Sequence, residues 1–232
     1  MNSSDANKNK TASSWPEGGD LRRFRVIELI MALRSRGVRD TRVLAAIEKV
    51  PRHIFVNPAF EAQAYTDHAL PIECGQTISQ PFIVGYMSQL LELDDRCKVL
   101  EVGTGSGYQA AVLAHLARRV YTIERYRTLS KEAEARFAEL GLTNITTLVG
   151  DGMEGWKAQA PFDRIIVTAA TPEVPSALLD QLKIGGIMII PLGPEDGTQH
   201  LVKIVRTEEG YDRQTLIPVR FVPLVAGKAQ HL

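Results

Sequence analysis

The sequence predicts an α/β protein: a doubly wound, mostly parallel sheet, preceded by helices and followed by an antiparallel strand extension. Three observations carry this reading. From Lys98 onward, short apolar runs at 98–103, 119–124, 145–150, 163–168 and 186–192 alternate with helix-period segments at 107–117, 126–140 and 174–182. Such alternation argues for parallel strands joined by crossover helices. The first run ends in a glycine-rich turn, with Gly103, Gly105 and Gly107, and the second ends on an acid, Glu124. After Gly193 the helical pattern stops, and LVKIV and QTLIPVRFVPLV follow as strand-like runs with no helix between them.

Taken in order, the first 19 residues are polar, lack the apolar segment of a secretory signal, and predict a disordered tail. One domain is expected over 20–232, comprising helices and a long loop (20–97), a nucleotide-binding core (98–193) and terminal strands (194–232). Leu21, Phe24, Ile27 and Leu29, then Val43, Leu44 and Ile47, recur at turn spacing and predict two helices, the second ended by Pro51. Residues 57–80 hold Pro58, Pro71 and Gly75 with little periodicity. They predict a long loop, and loops of that length inside a compact domain are often functional. Residues 81–93 predict a helix opened by Pro81, and Gly141 suits the cap that closes the helix over 126–140.

Composition narrows the function classes. Of 232 residues, 44% are hydrophobic and 23% charged, as in an ordinary globular protein. Lys plus Arg (27) balances Asp plus Glu (27), so bulk charge offers no attraction to nucleic acid or an anionic membrane. No apolar run approaches the ~20 residues that cross a bilayer. Cys74 and Cys97 lack metal-ligand spacing, and without an export signal they read as reduced thiols. A cytoplasmic, monomeric enzyme that needs no metal is expected.

The glycine turn and Glu124 point to an adenosine-containing cofactor, because an acid about 20 residues beyond such a turn receives ribose hydroxyls. A dinucleotide fingerprint needs a small residue three positions after its second glycine. Here that position is Tyr108, and the third glycine falls at 107 instead. The pattern from Glu101, E-x-G-x-G-x-G, is similar to motif I of class I S-adenosylmethionine-dependent methyltransferases. That resemblance implies that Glu101, Gly103, Thr104, Gly105 and Gly107 lie beside the methionine and ribose, and that Glu124 holds the ribose. It also assigns Asp151 and Gly152, in Gly150-Asp151-Gly152 after the third strand, to the adenine. Alone, Asp151 reads equally well as a strand-end turn residue.

The methyl acceptor is narrowed first by absences. After the fourth strand the chain reads TAATPEVP, without the Asn/Asp-Pro-Pro-aromatic element of amino-methylating enzymes, and neither cysteine follows a proline as in cytosine C5 methylation. The loop PIECGQTISQPFIV (71–84) resembles the signature loop of protein-L-isoaspartate O-methyltransferases. AIEKVPRHIFV (46–56), LEVGTGSGYQAAVLA (100–114), FDRIIVTAA (162–170) and LKIGGIMIIPLG (182–193) resemble the same family in the same order, so the likeness spans Leu21 to Leu224. It implies a class I fold and a protein-repair reaction on damaged, isoaspartyl-containing proteins and peptides. The methyl of S-adenosylmethionine would pass to the free α-carboxylate, and the ester would then close spontaneously to a succinimide.

This chemistry suits a chain with no visible His–Asp relay. An α-carboxyl has a pKa of roughly 3.3 to 3.7, so the acceptor is already an anion and the enzyme's task is positioning. The resemblance makes Ser79 the catalytic residue, a neutral donor that holds the carboxylate, with Thr77 as a second substrate contact. Without it, a turn-stabilising Ser/Thr pair bonded to its own backbone is the plainer account. Ile78, Ser79 and Gln80 are expected to line the cofactor pocket. Val222, Pro223 and Leu224 are expected in the peptide groove, by strand pairing or as an ordinary edge strand. His53 reads as structural, His115 as surface or packing, and Asp67 and His68 as minor substrate-contact candidates. Other acceptors on the same scaffold, a non-catalytic binding module and an NAD-dependent oxidoreductase remain alternatives at this point.

Overall fold

The computed structural model describes residues 18–229. The prediction of a disordered tail therefore falls, as far as residue 17, outside the described residues; Gly18 and Gly19 already belong to the first helix. Two helices open the chain, α1 (Gly18–Ser35) and α2 (Thr41–Lys49). The Asp40 side chain starts α2 by accepting hydrogen bonds from the amides of Arg42 (2.8 Å) and Val43 (3.3 Å). In α1 the inward stripe is Leu29 and Leu33, whereas Leu21, Phe24 and Ile27 are 41 to 56% exposed. Turn spacing identified the helix there without identifying which face packs.

The long-loop prediction is refined. Residues 52–63 form short 3-10 turns, and β1 (Leu70–Pro71) pairs antiparallel with β2 (Thr77–Ile78) around a turn at Glu73–Gly75. Ser79 and Gln80 follow at once, and α3 (Pro81–Leu90) begins with proline in its first turn. Its cap comes from a distance: Asp67 Oδ1 accepts the Phe82 amide at 2.8 Å.

The remaining strands and helices are β3 (Lys98–Val102), α4 (Tyr108–Ala114), β4 (Arg119–Glu124), α5 (Arg127–Glu139), β5 (Ile145–Val149), β6 (Phe162–Val167), α6 (Ser176–Gln181), β7 (Leu182–Leu192), β8 (Gln199–Arg206) and β9 (Tyr211–Val219). The sheet order is β5-β4-β3-β6-β7-β8-β9. Its first five strands run parallel, and β8 and β9 add antiparallel. Strand direction explains the apolar runs. Val99, Ile166, Ile187 and Ile189 face the core shared with α1 to α5, while Leu100, Ile165, Met188 and Ile190 face the one closed by α6. A strand buried on both faces has no polar face to show.

Several predicted bounds shift: the helices over 81–93 and 107–117 end at Leu90 and Ala114. The helix over 174–182 begins only at Ser176, and β7 starts at Leu182 rather than 186, with a register irregularity opposite Phe162 to Arg164. The final strand-like run stops at Val219. Beyond it the chain crosses over the end of the sheet, where Pro223 bridges Ala170 in parallel. Chain order reverses between β3, which continues to β4, and β6 on its other side. A crevice outside the carboxyl ends of strands at such a switch point is where doubly wound sheets bind ligands.

Candidate active site

The crevice is there. A cavity of about 210 Å³ is lined by the turn after β3 (Gly103, Thr104, Gly105), the end of β4 (Glu124), the loop before α3 (Thr77, Ile78, Ser79), Gly152, Thr168 and the crossover segment Val222 to Leu224. A broader groove of about 700 Å³ adjoins it, with Arg36, His68, Gln80, Phe82 and Arg220 among its walls. Thr77, Ser79, Thr168 and Val222 belong to both. These four residues mark the place where a ligand in one cavity meets a ligand in the other.

Glu124 lines the cavity with acceptor capacity to spare. Its Oε2 accepts the Gly105 amide at 2.8 Å and its Oε1 the Tyr126 amide at 3.0 Å. A carboxylate offers about four acceptor positions, so each oxygen keeps one for a ribose hydroxyl. Burial pushes this carboxyl above its ordinary value, and the amides of Gly105, Tyr126 and Arg125 pull it back down. Gly105 has φ +52°, and a Cβ there would meet only Ile72 at 3.8 Å, so its backbone is open to close approach. A ribose-bearing cofactor fits this donor and acceptor set.

Gly107 works differently. With φ +90° it caps α4, and a Cβ would lie 2.8 Å from the Phe137 ring and 3.0 Å from Ala133. The third glycine of the motif thus lets α4 pack against α5 and stands outside the cavity lining. Tyr108, which follows it, is buried against Phe55 with ring centroids 5.5 Å apart. Its phenol is pushed up to about 12 by burial.

Three expected cofactor contacts lie outside the cavity lining. Glu101 lies beneath the glycine turn, fully buried, where it accepts from the Thr122 hydroxyl, itself 2.7 Å from that of Thr104. Burial raises this carboxyl to about 8. Burial therefore favours its neutral form, and it supports the turn through Thr122 and Thr104. Asp151 accepts the Met153 amide on Oδ1 (2.9 Å) and the Gly227 amide on Oδ2 (2.7 Å), which caps a turn, ties down the carboxyl-terminal segment and, as at Glu124, leaves each oxygen one acceptor position. Only its neighbour Gly152 reaches the cavity. Gln80 donates to the Asp67 carbonyl (2.8 Å) and carboxylate (3.2 Å), and so faces the groove.

The remaining expected residues come together. Thr77, Ile78, Ser79, Val222, Pro223 and Leu224 all line the cavity. Neither the Ser79 nor the Thr77 hydroxyl is engaged by another described residue, so the turn-stabilising account of that pair has no bond to rest on. The crossover segment is committed elsewhere: the Val222 carbonyl accepts from Ala170 (2.8 Å), the Leu224 amide donates to Ala170 (2.7 Å), and Gln199 holds both backbone groups of Phe221. Those bonds use one edge of the segment; the Val222 amide and the Pro223 and Leu224 carbonyls bond to no other described residue and stay open for strand pairing with a substrate.

The weaker candidates separate cleanly. Asp67 pairs with Arg36 and caps α3, a structural task, while His68 lines the groove. His53 Nδ1 lies 2.8 Å from the Tyr65 hydroxyl, and burial lowers its pKa. Cys74 and Cys97 are both free thiols, each pushed up by burial. Sequence reasoning missed Thr168, which donates to the Gly103 carbonyl at 2.7 Å and stands between the two cavities. Its position directly after a core strand was the available signal.

Comparison with known proteins agrees with this geometry. Residues 25–229 match the family model described as protein-L-isoaspartate(D-aspartate) O-methyltransferase. The chain is 63% identical over 206 residues to a Parvibaculum lavamentivorans protein named protein-L-isoaspartate O-methyltransferase, covering 88% of this chain and 93% of that one. A solved protein-L-isoaspartate O-methyltransferase superposes with a TM-score of 0.77 at 28% identity over 85% of this chain, which spans 65% of that longer protein. The Plasmodium falciparum beta-aspartate methyltransferase, in complex with S-adenosyl-L-homocysteine, superposes with a TM-score of 0.75 at 26% identity, covering 85% of this chain and 97% of that one. The chain belongs to the protein-L-isoaspartate(D-aspartate) O-methyltransferase family.

Proposed function

We propose that the chain carries out its family's protein-repair methylation by holding the isoaspartyl α-carboxylate on the Ser79 hydroxyl, at the meeting point of cavity and groove. The enzyme is an S-adenosylmethionine-dependent protein-L-isoaspartate O-methyltransferase, and its substrates are isoaspartyl-containing proteins. When bound, S-adenosylmethionine supplies a methyl group on a positively charged sulfur, which departs as a neutral thioether as a carboxylate oxygen takes the methyl.

The protein's part is placement. Glu124 receives the ribose hydroxyls, Gly103, Thr104 and Gly105 let the backbone lie against the cofactor, Ile78 packs beside it, and the Asp151–Gly152 turn takes the adenine end. Glu101 acts from beneath, through Thr122 and Thr104. Ser79 donates one hydrogen bond to the carboxylate, Thr77 offers a second, and Val222, Pro223 and Leu224 close the wall where the damaged residue enters. Because the acceptor is ionised at neutral pH, no general base is needed, and orientation supplies the rate enhancement.

The observation that supports this reading is that Ser79 lines both cavities with an uncommitted hydroxyl. Ser79→Ala removes one donor to a charged acceptor, an interaction of about 1.5 to 3 kcal/mol. Turnover of an isoaspartyl peptide should therefore fall roughly 10- to 100-fold while S-adenosylmethionine binds as in the wild type. Full activity in the variant would remove Ser79 from the mechanism.

A further inference from the structure

We infer that Arg52 is the positioning residue for Ser79 and supplies the buried positive charge against which the isoaspartyl carboxylate binds. This rests on the reading of Ser79 given above. Arg52 is 0% exposed, the largest fully buried side chain in the described protein. Its Nε donates to the Ala64 carbonyl at 2.9 Å and its Nη2 to the Ser79 carbonyl at 2.8 Å. Ala64 and Ser79 are the two ends of the loop that carries β1 and β2. The guanidinium therefore spans the loop's base and fixes the backbone from which the Ser79 hydroxyl projects.

The charge calls for a second explanation. Among the described residues no carboxylate lies within ion-pair distance of Arg52. Asp67, the acid that acts on it from nearby, is already paired with Arg36 and bonded to the Phe82 amide. The Tyr108 ring covers the guanidinium, its centroid 4.7 Å from Cζ, and the Nη1 group and the neighbouring Tyr108 hydroxyl are both buried without a hydrogen-bond partner, which leaves the cation with a neutral phenol beside it and no anion. Burying a cation without a counter-ion is costly, and a neutral side chain of similar shape could bridge the same space without that cost. An arginine stays charged under these conditions. Arg52 lines neither cavity and stands behind Ser79, so its uncompensated positive charge lies under the place where the substrate carboxylate would bind.

The two roles act on different kinetic constants. Esterification consumes the carboxylate's charge, so a nearby cation stabilises the bound anion more than the transition state, which is an effect on substrate binding. The strut to the Ser79 carbonyl governs alignment, which is an effect on turnover. Arg52→Lys keeps the charge and cannot make both carbonyl contacts in the same fork geometry; Arg52→Met removes the charge and keeps much of the bulk.

The test measures peptide KM, kcat and S-adenosylmethionine Kd for wild type, Arg52→Lys and Arg52→Met. It also measures wild-type binding of an isoaspartyl peptide against its neutral α-carboxamide analogue. The wild type should prefer the carboxylate by about tenfold or more, since hydrogen bonds to charged groups are worth about 1.5 to 3 kcal/mol. Arg52→Lys should keep that preference and lose about tenfold in kcat, and Arg52→Met should lose the preference, with cofactor Kd unchanged in both. If Arg52→Met does not fold, Arg52→Gln serves as the neutral variant, and a carboxylate preference kept in it would overturn the charge role. An α-carboxamide peptide that binds the wild type as tightly as the carboxylate would overturn the charge role. A Lys variant with wild-type kcat would overturn the positioning role. A wild type inactive on isoaspartyl peptides would overturn the underlying reading instead.

Discussion

Glu124 at the end of β4 accepts the backbone amide of Gly105 in the turn after β3 at 2.8 Å, so the two halves of the proposed cofactor site are joined by the protein itself. The bond aims the carboxylate and presses the glycine turn against the strand beside it. It also opposes the desolvation that raises the Glu124 carboxyl. Two predictions come from this acid and its buried neighbour.

Glu124→Gln exchanges one acceptor oxygen for a donor, so S-adenosylmethionine Kd should rise about tenfold or more, the scale of charge-assisted hydrogen bonds. Only the ionised form accepts from both ribose hydroxyls. Its pKa is raised above the ordinary 4.5, so wild-type affinity should decline as pH falls through that raised value. Calorimetric titration across that range checks this, with Glu124→Gln lacking the decline.

Glu101 sets the stability profile. Its folded pKa of about 8 exceeds the unfolded 4.5, so between those values the native state binds the extra proton. Stability from this group is full below 4.5 and is lost as pH rises toward about 8. Glu101→Gln removes the titration. Melting temperatures taken across that window should fall with pH in the wild type and fall less in the variant; parallel curves would contradict a buried neutral Glu101.

Gly107→Ala tests the packing role of the third glycine. A left-handed φ and a Cβ at 2.8 Å from Phe137 together should cost about 2 to 4 kcal/mol in denaturant unfolding. Adding Phe137→Leu should recover part of the loss, because the steric share lies with that ring. A full-stability Gly107→Ala would show that α4 and α5 can separate freely.

Gln199→Ala frees both backbone groups of Phe221, which the buried amide holds at 2.7 and 3.2 Å. The crossover segment from Phe221 to Leu224 should then exchange its amide hydrogens faster, and peptide KM should rise several-fold with little change in kcat. Hydrogen exchange followed by mass spectrometry reads the first effect, and steady-state kinetics the second.

How much of this could be read from the chain depends on how local each signal is. The parallel core was legible because strands buried on both faces appear as apolar runs, as in Ile165-Ile166-Val167. The glycine turn and Glu124 were legible because their spacing reflects backbone geometry within one β-α-β unit. Contacts between distant segments were not. Gln80 was expected in the cofactor pocket beside Ser79, yet Asp67, 13 residues earlier, draws its amide into the groove. The final strand-like run hides its crossover because the bridge from Pro223 to Ala170 has no local signature. Arg52 carries no local signature of its role, since an arginine ordinarily reads as solvent-facing.

The most direct test of the account is methyl transfer from labelled S-adenosylmethionine to an isoaspartyl peptide beside its normal aspartyl twin. The account predicts labelling of the isoaspartyl peptide and essentially none of the twin, with the label lost on mild alkaline treatment as an ester. Equal labelling of both peptides, or of neither, would contradict it.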